Sequence, residues 1–226
     1  MDTIIPTPTP SSANNYQNLD DYLSGVTTAL TNAADTEIAT LLANRSYTKS
    51  VIDQKKVELD NLKELVKNQT KEYGDQYQST MNYNEAVATL HPKYIEHLII
   101  SRIVFKNNVA AKTTLGLKGT RKRSTSSYCK QAELFYKGAT ENNDYKASLA
   151  PKGITDAELQ TGKTGYENLS NLAAKQAKET GEAQGATATR DNAIDDFATW
   201  YSEFKTIGTI ALSTKPQLRE KLGWKE

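Results

Sequence analysis

Shifted by 107 positions, residues 48–118 lie over residues 155–225 without a gap. Eighteen of the 71 paired positions are identical, where ordinary residue frequencies give roughly 5 by chance. The matches include Lys56/Lys163, Asn61-Leu62/Asn168-Leu169, Leu65/Leu172, Gln69/Gln176, Gly74/Gly181, Tyr94/Tyr201, Ile103/Ile210 and Leu115-Gly116/Leu222-Gly223. Self-similarity of this length limits the chain to folds assembled twice from one unit.

The residue pattern says what that unit is. No proline stands between Pro10 and Pro92, and no glycine between Gly25 and Gly74. Breaker-free stretches rich in Lys, Glu, Gln, Ala and Leu favour helix. Leu19, Leu23, Val26, Leu30, Ile38 and Leu42 recur at spacings of three, four and their sums, which predicts an amphipathic helix over 17–44. Ile52, Leu59, Leu62 and Leu65 start a second, long helix over 48–106, and the repeat places its counterpart over 155–212. About 58 residues at 1.5 Å each make a rod of roughly 87 Å. A shorter helix is expected over 126–148, and small elements over Val109–Leu117 and Pro216–Trp224, each with a Leu-Gly pair. Thr155 and Glu158 fit a capping box, in which the Thr hydroxyl accepts an amide and the Glu carboxylate reaches back. Gly74 and Gly181 are weak turn signals, and a continuous or slightly bent helix is expected through both; Pro92 is expected to kink the first.

The expected fold is all-α: an elongated helical bundle or coiled coil of two tandem repeats with pseudo-twofold symmetry. The expected divisions are a flexible N-terminal arm (1–15), a first repeat (16–118), a basic linker (119–125) and a second repeat (126–226), the two repeats forming one bundle. Hydrophobic residues make up 37% of the 226, which suits helices that each bury one stripe.

Three motifs carry a resemblance. They are Gly153-Ile154-Thr155-x-Ala157-Glu158, the run around Ala186-Thr187 and Thr189-Arg190-Asp191 to Ala193, and Pro216-x-Leu218-x-x-x-Leu222-Gly223. Together the chain resembles uncharacterised bacterial proteins built from a duplicated long-helix unit. The resemblance spans roughly residues 16–226, implies the fold, and implies no activity.

Composition narrows function. One cysteine and two histidines leave little for a thiolate zinc site or a catalytic triad. The formal charge of +1 argues against general nucleic-acid binding. No run reaches the ~18–20 apolar residues of a membrane span, and residues 1–16 lack the basic start and apolar core of a secretory signal. A cytoplasmic, non-enzymatic protein without cofactor or metal is expected, with signal-independent export left open.

Individual residues offer candidates. Arg121, Lys122 and Arg123 form a basic cluster amid Ser and Thr that suits an anion or acidic partner. Tyr73, Tyr77 and Tyr83 suit a half-wet assembly interface, since Tyr has an apolar body and a polar tip. Leu98 to Phe105 is apolar on more than one face, which suits the broadest part of the core or, alternatively, contact with a membrane. His97 aligns with Phe204 and reads as a packed histidine; Cys129 reads as a buried thiol. The function expected is that of a structural or protein-interaction module, self-assembling or a subunit of a larger assembly. The alternative is a membrane-interacting helical protein.

Overall fold

The computed structural model describes residues 19–120 and 124–224. Eight α-helices account for nearly all of them, and no strand occurs among them. They are α1 (Leu19–Asn32), α2 (Thr36–Ala43), α3 (Lys49–Val104), α4 (Val109–Thr114), α5 (Thr125–Glu141), α6 (Asn143–Leu149), α7 (Asp156–Ala211) and α8 (Pro216–Lys221). A 3₁₀ turn, Ala150–Lys152, follows α6. Each bound of α7 lies 107 residues after the same bound of α3, and each bound of α8 lies 107 residues after that of α4.

Both long helices hold 56 residues and are uninterrupted. Gly74 and Gly181 lie inside them with open space where a Cβ would stand, and Pro92 lies inside α3 without ending it. The short helices differ from expectation, because each is two helices. Asp35 caps α2 by accepting the Glu37 amide, and Asn142 caps α6 by accepting the Tyr145 amide at 3.0 Å. Short Asx side chains compete with the helix for backbone partners, so they end one helix and start the next.

The Leu-Gly elements close alike. Gly116 (φ 58°) and Gly223 (φ 75°) adopt the left-handed conformation that glycine takes without steric cost. The Leu117 amide donates to the Lys112 carbonyl, and the Gly116 amide donates to Thr113. Trp224 and Gly223 donate to Arg219 and Glu220 in the same pattern, a Schellman cap in both places.

The chain divides into two compact units, named here for their place in the sequence. The central unit is Tyr73–Glu182; the terminal unit takes the described residues up to Glu72 and from Ala183 on. Each unit therefore holds one part of α3 and one part of α7. In the terminal unit, Leu30, Ile38 and Leu42 of the short helices pack with Ile52, Leu59 and Leu62 of α3 and with Phe197 and Phe204 of α7. Trp224 closes this core edge-on to Phe204. In the central unit, Phe135 and Tyr136 of α5 and Leu149 of α6 pack with Leu90, Tyr94 and Leu98 of α3 and with Leu159 and Leu169 of α7. There α3 and α7 run antiparallel: Thr80 meets Gln176, Leu90 meets Gly165, and His97 meets Glu158.

One packing detail separates the two cores. A Cβ on Gly208 would stand 2.6 and 2.7 Å from the Trp224 ring, so the indole needs glycine there. The positions 107 earlier hold Ser101, larger than Gly208, and Leu117, smaller than Trp224, and both are buried. Gly208→Ser should therefore cost roughly 1–3 kcal/mol by overpacking. Adding Trp224→Leu should return part of that loss, with a coupling of about 0.5–3 kcal/mol in a double-mutant cycle read by denaturant unfolding.

Candidate functional site

In the central unit a cavity of about 280 Å³ opens between α3 and α7. Leu90, Lys93 and His97 line it from α3, Glu158 and Gly162 from α7, and Tyr136 of α5 closes its floor. The floor depends on a missing side chain. A Cβ on Gly162 would stand 1.9 Å from Tyr136 Cε1, so the ring lies directly against the α7 backbone.

The polar groups form a chain. The Tyr136 hydroxyl is 3.3 Å from His97 Nδ1. Glu158 Oε2 is 3.7 Å from His97 Nε2 and 3.5 Å from Lys93 Nζ. Lys93 also approaches Glu96, at 3.9 Å. The nearby carboxylate favours a proton on Nε2, which leaves Nδ1 to accept from the Tyr136 hydroxyl. His97 is buried and Glu158 is partly exposed. Burial holds the imidazole pKa below its usual value, against the pull of Glu158 and Glu96 and with the help of Lys93. Burial also raises the Tyr136 hydroxyl, which stays protonated.

The capping box expected at Thr155 forms on one side: the Glu158 amide donates to Thr155 Oγ1 at 3.3 Å. The carboxylate instead faces His97 and Lys93.

The other candidate residues scatter. Arg121, Lys122 and Arg123 lie outside the described residues. Just before them, Arg102 donates to the carbonyls of Leu117 and Gly119 at 2.7 and 2.8 Å and ties down that stretch. Tyr77 is 60% exposed, Tyr73 is half-buried, and Tyr83 is buried, near Thr125 and Cys129. Cys129 is buried away from the cavity, and burial pushes its thiol pKa up. His91 Nδ1 lies 3.1 Å from the Tyr128 hydroxyl. Within 98–105, Leu98, Ser101 and Phe105 are buried while Ile99 and Ile103 are exposed. No described helix is long and apolar enough to cross a membrane.

Sequence reasoning singled out His97 but missed Glu158, Lys93 and Tyr136 as its company. The signal lay in the shifted pairs. His97 stands where the other half has Phe204, and Gly162 stands where it has Lys55. A polar residue at a buried position and a glycine against an aromatic ring both mark a place where the two halves pack differently.

Comparison with protein-family models, with curated proteins and with solved structures finds no match for this chain.

His97 makes stability depend on pH. Its folded-state pKa lies below the unfolded value near 6.5, so the unfolded chain takes up the proton first. The contribution is whole above about pH 6.5 and declines as pH falls below it. His97→Phe, which copies Phe204, should flatten the loss of stability between about pH 7 and 5. Unfolding midpoints measured across that range check it, and equal slopes in both proteins would refute it.

Proposed function

We propose that this chain is a non-enzymatic interaction protein made of two tandem copies of one helical unit, acting through self-assembly. Each copy comprises a pair of short helices, a long helix and a Leu-Gly element. The coincidence of helix bounds under the 107-residue shift supports the duplication. So do the caps at Asp35/Asn142 and the left-handed residues Ser46/Gly153 and Gly116/Gly223. Buried positions recur as well: Leu62/Leu169, Leu90/Phe197, Phe105/Leu212 and Leu115/Leu222. The relation extends to α1 and α5 with a shift of 106, where Leu23/Cys129, Val26/Ala132, Ala29/Phe135, Leu30/Tyr136 and Ala33/Ala139 are all buried.

One observation carries the interaction reading. Ile103 and Ile210 occupy the same place in the two copies, are identical, and are 66% and 54% exposed. The core has no use for either. Single exposed apolar residues are common, but Ile103 has Ile99 one turn earlier and Val109 just after it, both more than half exposed. Such a surface suits contact with another protein surface. The chemistry of the buried groups also favours a non-enzymatic role: burial raises the thiol pKa of Cys129, and His97 Nδ1 lies against the Tyr136 hydroxyl.

Light scattering over a wide concentration range tests this. The wild type should associate as concentration rises, and Ile103→Glu with Ile210→Glu should remain monomeric with an unchanged helical spectrum. A wild type that is monomeric throughout, and retains no partner in a pull-down, overturns the proposal. Flotation of the wild type with liposomes, abolished by the same pair of substitutions, would favour the membrane-surface reading instead.

A further inference from the structure

The two units solve one packing problem in opposite ways. Around the cavity, the central unit has Lys93, His97, Glu158, Gly162 and Gly165. The matching residues of the terminal unit are Trp200, Phe204, Val51, Lys55 and Glu58. There Trp200 stacks on Phe204, with centroids 5.2 Å apart and planes 7° apart, and Lys55 Nζ sits 5.1 Å from the Trp200 ring. Where one unit is filled with aromatic rings, the other is hollow, with mainly apolar walls and His97, Lys93 and Glu158 at one end.

The hollow has the makings of a ligand site. Its walls include Leu90, Ala86, Tyr136, Gly162 and Gly165. A volume of about 280 Å³ admits a body of roughly benzene size with room to spare, since apolar cavities of about 150 Å³ already bind benzene. The polar end carries Lys93, Glu158 and His97, and its one carboxylate is Glu158. Glu158 is poorly served there. Its contacts to Lys93 and His97, at 3.5 and 3.7 Å, exceed the ~2.7–2.9 Å of a charge-assisted hydrogen bond. Lys93 is 54% exposed and has Glu96 as a second partner, so it can yield its place.

We infer that the central-unit cavity binds a small organic amine, with the ammonium on Glu158 and an apolar body of about one ring against Leu90 and the Gly162–Gly165 face. The inference rests on the two-copy reading for the comparison with the filled site, and on the cavity's own geometry for the ligand. The ammonium takes the place of Lys93 beside Glu158.

Benzylamine, benzyl alcohol and benzoate are the probes, titrated into the full chain and followed by calorimetry and by amide NMR shifts. Benzylamine should bind saturably, with shifts centred on residues 90–97 and 158–165. Benzyl alcohol should bind about ten- to a hundredfold more weakly, since it lacks the charged hydrogen bond, and benzoate more weakly still. Glu158→Gln should reduce benzylamine binding by the same factor. A wild type that gives no saturable benzylamine response, or an affinity unchanged in Glu158→Gln, overturns the site. A third variant, Lys93→Trp with His97→Phe and Glu158→Val, writes the filled core into the central unit. It should fold and ignore benzylamine. If the added rings overpack against Tyr136 and unfold it, the wild-type and Glu158→Gln titrations decide the amine site.

Discussion

The long helices are too polar to hold themselves together along their length, and this constraint shapes the structure around them. The exposed faces of α3 carry Lys/Glu and Lys/Asp pairs three and four residues apart, such as Lys67–Glu64 and Lys63–Asp60. Such pairs give only a few tenths of a kcal/mol each. Tight burial is instead concentrated where short helices and a Leu-Gly element lie on the pair. In the central unit, Tyr94, Phe135 and Tyr136 are fully buried, and so are Leu115 and Leu149. Each such side chain is worth about 1.5–3 kcal/mol in apolar transfer. The aromatic contacts among the first three, at centroid distances of 5.1 to 6.0 Å, fix their geometry as well. α3 and α7 are helical by local preference, but tertiary contacts of this kind determine which faces they bury.

Much of this could be read from the residues. The long helices were expected over 48–106 and 155–212 and occupy Lys49–Val104 and Asp156–Ala211. The Leu-Gly elements fell where the glycines put them, because only a left-handed residue closes that turn. The short helices were legible as apolar faces but not as pairs. Asp35 and Asn142 are polar residues inside otherwise periodic runs, and periodicity alone does not show which Asx turns its side chain back on the chain. The cavity was partly legible. Its glycines and His97 were visible as departures from the other half, while Glu158 was assigned to a cap. A sequence shows which residues share a helix, not which carboxylate another helix draws away.

Comparing the halves position by position makes these departures informative. Most paired core positions change size only modestly, as Leu90/Phe197 and Phe105/Leu212 do. Larger changes come in compensated sets. Trp224 sits against Gly208, while the shifted positions hold Leu117 and Ser101, both buried. Tyr136 sits against Gly162, while the shifted positions hold Leu30 and Lys55. In a close-packed interior, adding a ring requires removing a Cβ elsewhere.

The cavity is the set in which that compensation stops short. The cavity is open to solvent past Lys93 and Glu158, whereas Trp200 and Phe204 fill the shifted positions. Lys93, His97 and Glu158 change the balance, because they give water or a polar ligand the two to four partners that make occupancy favourable. The polar groups and the hollow are thus one feature: Lys93 and Glu158 stand at its open edge, and His97 is the buried member, set against Tyr136.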